Sequence, residues 1–367
     1  MSRCKALTVV DLFAGVGGLA EGFHQARIDG RPAYSLALLA DSDPEACYTF
    51  KRNRPELRYW VTDLRHATSS DIRKRSGLRW VDVVVGGPPC QGMSAAGRRL
   101  LDDPRNGLLK DFVRIALGLQ PKAILLENVP SLFGEKHGRL GKELKEQLAR
   151  SGYSTAAKVL QASDFGVPQA RRRTFLLGVR KTLRVAPTLP EGKGPCVTVE
   201  DAIGDLPAVT PGNGHDPAIY PTPPKSAYQQ ARRRGSGLIF NHRATNHSAD
   251  FVKKLSVVPE GGSNSKLPKR HRFSDRYYSQ AYARLHRNKP AYTITGSYHN
   301  PGSGRFIHYR EVRSITTREA ARLQGFDDSF VFHGYLSTQG RHIGNAVPPI
   351  LSQALAEHIA ALLQAAS

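Results

Sequence analysis

Four residues in this sequence are of the types, and at the positions, to work on one substrate. Cys90 lies in Gly86-Gly87-Pro88-Pro89-Cys90-Gln91-Gly92-Met93-Ser94. Two prolines stiffen the chain ahead of a lone thiol, and a thiolate in a rigid, exposed loop is a strong nucleophile near neutral pH. A small buried core thiol is the alternative, and the flanking Pro-Pro and Gln-Gly pairs argue against it. Glu127-Asn128-Val129 follows four apolar residues, Ala123 to Leu126. A carboxyl at such a strand end is partly desolvated, which raises its pKa and suits it to carry a proton. In Gln169-Ala170-Arg171-Arg172-Arg173, Arg171 and Arg173 fall on one face of an extended chain. As a pair they suit a phosphate or a base carbonyl.

A second set of residues could hold a ligand. Asp11-Leu12-Phe13-Ala14-Gly15-Val16-Gly17-Gly18 joins an apolar run to an amphipathic one. Glycines there let the backbone approach a cofactor, and the following helix start favours a negative group. The GxGG spacing is not the six-residue dinucleotide fingerprint, so a nicotinamide cofactor is not favoured. Asp41 ends a second apolar run, where an acid accepts hydrogen bonds from ribose hydroxyls. Asp63, after Tyr59-Trp60-Val61-Thr62, could accept one from an adenine amino group. Either acid, met alone, is more often a helix cap or a solvated end.

The elements that position these residues alternate in type. Strands are expected at Ala6 to Phe13, Tyr34 to Ala40, Val81 to Val85, Ala123 to Leu126 and Thr174 to Val179, with a helix from Leu19 to Ala26. Strand, turn and helix in repetition predict an α/β fold with a mostly parallel sheet. Such sheets bind ligands at the carboxyl ends of their strands, where Asp11, Asp41, Cys90 and Glu127 fall. After Pro348-Pro349, Ile350 to Leu363 reads as a helix. Its expected buried face is Ile350, Leu351, Ala354, Leu355, His358, Ile359 and Leu362, packed on the first domain.

The chain has 367 residues, 53 Lys and Arg against 31 Asp and Glu, and a net charge of +22. That length suits about two domains, and the charge points to a polyanion partner. Residues 185–224 hold nine prolines, which interrupt regular structure. Residues 225–289 carry fifteen Lys and Arg against three acids, so twelve of the net positive charges lie in this one segment. Tyr228, Tyr277, Tyr278 and Tyr282 are interleaved with them, a pattern that suits a nucleic-acid groove. Four cysteines without metal-ligand spacing argue against a disulfide framework and a structural metal. No apolar run approaches the roughly 18 residues of a membrane span, and Asp11 interrupts the only apolar N-terminal stretch. These features are those of a soluble intracellular protein.

In this order, these motifs resemble the DNA cytosine-5 methyltransferase family, from about residue 8 to 364 except 185–290. Asp11 to Gly18 resembles its S-adenosylmethionine loop, Pro88-Pro89-Cys90-Gln91 its catalytic loop, Glu127-Asn128-Val129 its ENV motif and Gln169-x-Arg171-x-Arg173 its QxRxR motif. Thr317 to Phe326 and Gly344-Asn345-Ala346-Val347-Pro348-Pro349 resemble its last two motifs. The family often carries an aromatic after the ribose-binding acid; here that residue is Ser42.

The resemblance implies a Rossmann-like S-adenosylmethionine-dependent catalytic domain, 1–184 with 341–367. It also implies a smaller, irregular domain, 185–340, whose 185–290 segment recognises the target. It implies a sequence-specific enzyme of the bacterial restriction-modification type acting on double-stranded DNA. Cys90 attacks carbon 6 of a flipped-out cytosine, Glu127 bonds or protonates ring nitrogen 3, and Arg171 and Arg173 hold base and phosphate. The cofactor set is Asp11, Phe13, Gly15, Gly17, Gly18, Asp41, Asp63, Pro88 and Asn345, with no metal. Gln91, Ser94, Arg232, Arg233, Arg270 and Arg272 are the DNA-contact candidates. A cognate endonuclease partner, a monomeric state and a cytoplasmic, nucleoid-associated location follow from the same resemblance.

Three other functions fit parts of the chain. A tRNA cytosine-5 methyltransferase of the same family carries a different sequence after Pro-Pro-Cys and a small recognition segment, unlike the long basic one here. A catalytically dead relative loses the cysteine or the glutamate, and both are present. A small-molecule methyltransferase leaves the basic segment without a role.

Overall fold

The computed structural model describes residues 5–89, 107–133, 138–273 and 279–366. Cys90, Gln91, Ser94, Tyr277 and Tyr278 lie outside these residues. The described chain divides into two compact units. The first is residues 1–161, 172–193 and 347–367; the second is 162–171 and 194–346.

The first unit holds a seven-stranded sheet. Along the chain come β1 (Leu7–Leu12), α1 (Gly18–Gln25) and a small hairpin of β2 (Arg27–Ile28) and β3 (Arg31–Pro32). Next are β4 (Tyr34–Asp41), α2 (Pro44–Asn53), β5 (Tyr59–Val61), α3 (Ser69–Ser76) and β6 (Val83–Gly86). They are followed by α4 (Gly107–Leu119), β7 (Ala123–Asn128), α5 (Gly138–Arg150), β8 (Tyr153–Gln161) and β9 (Arg172–Arg180). The strand order is β5-β4-β1-β6-β7-β9-β8. The first five strands are mutually parallel; β9 runs antiparallel to β7, and β8 antiparallel to β9.

The parallel part follows the expected alternation of elements. The antiparallel end does not, because β8 gives no strong sequence signal. It is an edge strand in which only Tyr153 and Leu160 are buried, so no apolar run marks it. Leu12 pairs with Ala40 on one side and Gly86 on the other, and Gly86 pairs with Leu126. The carboxyl ends of β4, β1, β6 and β7 are therefore level. The core on one face of the sheet joins Val10, Leu12, Leu38 and Ala40 to Phe112, Ile115 and Leu119 of α4.

The turn after β1 needs glycine at position 17. Its φ is +84°, and a Cβ there would meet the Phe50 ring at 2.4 Å. The last helix of the chain, 349–365, packs on α1 within this unit, as expected. There Ser352 Oγ donates to Leu19 O at 2.7 Å, and a Cβ on Gly22 would strike Ser352 Cβ at 2.4 Å. Its buried face is Leu351, Ser352, Leu355, Ala356, Ile359, Ala360 and Leu363. This face is rotated from the expected one, and the close approach of Gly22 falls on the small residue Ser352.

The second unit contains α6 (Val199–Ile203), α7 (Ala227–Arg232), α8 (Ala249–Ser256), α9 (Thr317–Gln324) and α10 (Leu336–Asn345), joined by long irregular segments; the last helix of the first unit is α11 (Pro349–Ala365). Buried charge organises it. Arg322 bonds Asp205 and Asp328, and Arg313 bonds Glu319 and Glu311, with both guanidiniums fully buried.

The division differs from the expected boundaries at three places. Residues 162–171 and 341–346 belong to the second unit, and 185–193 to the first. Gln169 explains part of this: its Oε1 accepts from Ile294 N at 2.9 Å and its Nε2 donates to Leu323 O at 3.1 Å. The 185–193 segment is tied to α11 by Thr188 Oγ1 and His358 Nε2 at 3.0 Å.

Candidate active site

Three acids mark the strand ends on the β1 side of the first unit. Asp41, last in β4, accepts hydrogen bonds from Gly15 N at 2.8 Å and Asp43 N at 2.9 Å. Burial pushes its carboxyl pKa up, and those backbone donors oppose the shift. The Tyr59 hydroxyl donates to Gly15 O at 2.7 Å, so both peptide groups of Gly15 are held. Phe13 has φ +57°, a left-handed backbone that few non-glycine residues adopt.

Asp11 is fully buried in β1, with the Ala20 backbone N–H as the one group that favours its charged form. Burial, with the nearby Asp41 charge, raises its pKa well above the carboxylate range. Gly18 opens α1. Asp63 lies past the end of β5, with its carboxylate forked by Arg65. Arg65 Nε lies 2.9 Å from Oδ2 and 3.0 Å from Oδ1, and its backbone N–H also donates to Oδ1. These bonds lower the Asp63 pKa to about 2.

The second cluster lies where β6 and β7 end side by side. Asn128 Nδ2 donates to Pro88 O at 3.0 Å, and both residues are buried. Glu127, 8% exposed, pairs with Arg173 Nε at 3.0 Å across the antiparallel β7–β9 pair. A Cβ on Gly87 would lie 3.0 Å from Glu127 Oε2. The Pro-Pro-Cys loop therefore leaves β6 directly beside the glutamate. Sequence reading expected a partly desolvated carboxyl at this strand end; the structure buries it and adds a guanidinium partner that sequence reading did not foresee. The positioning role of Asn128 was not foreseen, and its place beside Glu127 at a strand end was the available signal.

Arg171 and Arg173, placed on one face by the sequence reading, have different partners in the structure. Arg173 lies in β9 and pairs with Glu127. Arg171 precedes β9, belongs to the second unit, and is 1% exposed. It donates to Ile294 O at 3.2 Å and Gly344 O at 2.9 Å. The one-face argument assumed that the strand begins before Arg171, and it begins at Arg172. Asn345, also in the second unit, is the exposed last residue of α10.

The basic candidates divide in the same way. Arg232 pairs with Asp327 at 2.9 Å and donates to Gly325 O. Arg233 pairs with buried Asp205 and lies over the Tyr220 ring at 3.9 Å. Both hold acidic partners within the second unit, which the sequence reading did not expect. Their acidic partners lie 28 or more positions away, so sequence proximity could not reveal them. Arg272 donates back into its own turn, to Leu267 O at 3.0 Å. Arg270 is exposed and, among the described residues, donates to its exposed neighbour His271.

Comparison with known proteins agrees with this architecture. A family model described as C-5 cytosine-specific DNA methylase matches residues 7–361. The chain is 38% identical over 97% of its length to the Type II methyltransferase M1.HphI of Haemophilus parahaemolyticus, covering 87% of that protein. It is 33% identical over 96% of its length to the Type II methyltransferase M.DdeI of Desulfomicrobium norvegicum, covering 88% of it. A crystal structure described as a DNA modification methyltransferase encoded within an E. coli prophage superposes with a TM-score of 0.81 at 27% identity. That match covers 98% of this chain and all of the other. The S. pombe Dnmt2 methyltransferase, at 16% identity and a TM-score of 0.57 over 98% of this chain and 99% of its own, shares the fold. The chain belongs to the C-5 cytosine-specific DNA methylases, which transfer a methyl group from S-adenosylmethionine to carbon 5 of cytosine in DNA.

Proposed function

We propose that Cys90, Glu127 and Arg173 carry the reaction in this chain, that Asp11, Asp41 and Asp63 hold its cofactor, and that it modifies one short DNA sequence. The observation that carries this reading is the joint anchoring at the end of β7. Asn128 holds the loop that leads to Cys90, and Glu127 stands against the same loop on Arg173.

The residues fit S-adenosylmethionine. Asp11 offers a fully buried carboxyl near the end of β1, with acceptor capacity beyond the Ala20 backbone N–H. Asp41 is fixed by backbone donors and keeps acceptor capacity for ribose hydroxyls. Phe13, Gly15, Gly17, Gly18 and Pro88 shape the chain around them. When bound, the cofactor supplies an electrophilic methyl group on a sulfonium.

The protein's part of the chemistry follows. The target atom is out of reach in a duplex, so the cytosine is flipped out, as methyltransferases of this kind require. The Cys90 thiolate adds to carbon 6. Glu127 stabilises ring nitrogen 3 by a hydrogen bond or proton, which draws electrons from carbon 6 and makes carbon 5 nucleophilic after addition. Arg173 holds the Glu127 carboxylate in place. After methylation, loss of the carbon 5 proton and release of Cys90 restore the ring. We further propose that the chain works as a monomer and protects the site of a cognate endonuclease, the role suggested by its Type II relatives.

The test is to incubate the purified protein with S-adenosylmethionine and methylation-free genomic DNA, then to map protected cytosines by bisulfite sequencing. The expected result is protection within one short repeated sequence. No protection, with DNA binding intact, overturns the reading.

A further inference from the structure

We propose that Arg65 and Arg114 form a relay that positions the Asp63 carboxylate and so sets the preference of the cofactor site for adenine. The proposal rests on the assignment of Asp63 to the adenine amino group. Neither arginine belongs to a motif that suggested the function.

The geometry is continuous. Asp63 and Arg65 form a closed local turn. Arg65 N–H donates to Asp63 Oδ1 at 3.0 Å, His66 N–H to Asp63 O at 3.1 Å, and the Arg65 guanidinium grips both carboxylate oxygens. The turn then has to be held against the body of the protein. Leu64 and Ala67, 2% and 3% exposed, insert into the core. Their carbonyls need donors, because buried polar backbone left unpaired is costly. Arg114 of α4 supplies them. Its Nη1 donates to Ala67 O at 2.8 Å, and its Nη2 to Arg65 O at 3.1 Å and Leu64 O at 3.2 Å. Asp111, one turn earlier on α4, aims the guanidinium at 3.0 Å. One planar cation thus ties three carbonyls of the four-residue stretch 64–67 to a helix, a task that needs the donor fork of arginine.

This arrangement has a chemical consequence. With Arg65 against it, Asp63 stays ionised and is acceptor-only. Its side chain is 36% exposed, so the carboxylate keeps an open side. An acceptor-only group favours the exocyclic amine of adenine, a donor, and disfavours a carbonyl at the same position. Arg65 and Arg114 are positioning residues in this scheme: they do not touch the reacting atoms.

The test compares binding of S-adenosylhomocysteine and S-inosylhomocysteine, in which that amine becomes a carbonyl and ring nitrogen 1 gains a proton, to the full chain by calorimetry. The wild type is expected to prefer the adenine form by on the order of tenfold, the effect of leaving one charged acceptor unpaired. Asp63→Ala should abolish the preference, and Arg114→Met and Arg65→Ala should reduce it several-fold. Affinity for DNA should stay unchanged in all three. A purely structural role for Arg114 would weaken both ligands equally and leave their ratio untouched. An unchanged ratio in Arg114→Met, together with a lost one in Asp63→Ala, overturns the relay. An unchanged ratio in Asp63→Ala shows instead that Asp63 does not face the base, and the relay falls with that assignment. Should Arg114→Met fail to fold, Arg114→Lys, which keeps the charge but not the fork, reads the same ratio.

Discussion

The Asn128 side chain donates to the Pro88 carbonyl at 3.0 Å, and both residues are buried. This bond joins the ends of two adjacent parallel strands. Pro88 stands two positions before Cys90, so the bond sets where the nucleophile loop leaves the sheet. Loss of the bond strands a buried acceptor, at a cost of about 1–3 kcal/mol. Asn128→Ala should therefore lower kcat by roughly tenfold to a hundredfold, since about 1.4 kcal/mol is tenfold in rate. DNA affinity should be unchanged. Steady-state kinetics with a binding isotherm checks this, and a wild-type kcat would show that the loop is positioned by something else.

Cys90→Ala should abolish turnover while DNA binding survives. A duplex carrying fluorine at carbon 5 of the target cytosine cannot lose a proton there. The wild type should accumulate a denaturation-resistant protein–DNA adduct on it, and Cys90→Ala should form none. Turnover by Cys90→Ala near the wild-type rate would exclude the covalent route.

Arg233 and Arg270 should respond differently to removal. Arg233→Ala leaves the buried Asp205 short of one partner, and breaking a buried pair costs about 3–5 kcal/mol. Its melting temperature should fall by several degrees, with no change in the salt dependence of DNA binding by the folded protein. Arg270→Ala should leave the melting temperature within about a degree and reduce the slope of log affinity against log salt by about one, if the residue meets a phosphate. Thermal unfolding and salt titrations separate the two. A reversed pattern would overturn the division between structural and contacting arginines.

Acid sensitivity should come from His308. Its Nδ1 accepts from the backbone N–H groups of Glu311 at 2.9 Å and Arg310 at 3.2 Å, so the ring is neutral. Burial pushes its pKa down to about 3, against the opposing pull of Glu319. The unfolded chain takes up this proton near pH 6.5, well before the folded one does. The contribution of neutral His308 is therefore fully present above about pH 6.5 and is lost as pH falls toward 3. Melting temperature should decline over that window, and His308→Gln should flatten the decline. An identical pH profile for the variant would remove His308 as its source.

The parallel half of the fold was legible in the sequence because buried parallel strands are continuous apolar runs, and Val83 to Val85 and Ala123 to Leu126 are such runs. The motifs fell where those runs end, so Asp11, Asp41 and Glu127 were found as strand-end residues. The edge strand β8 was not legible, because one solvated face and few buried residues leave no pattern to read.

By itself, the sequence determined the chemistry on offer: a lone thiol after two prolines, a glutamate after an apolar run, a glycine turn beside acids and a concentrated positive charge. These are local properties, set by residue type and near neighbours. The tertiary structure decided the partners. It gave Glu127 to Arg173 and Pro88 to Asn128 across strand ends, turned Arg171 toward Gly344, and paired the half-buried Arg232 and Arg233 with Asp327 and Asp205. A charge on an arginine is visible in the sequence, but whether it meets solvent, a carboxylate or a carbonyl depends on residues tens to more than a hundred positions away, which only folding brings together.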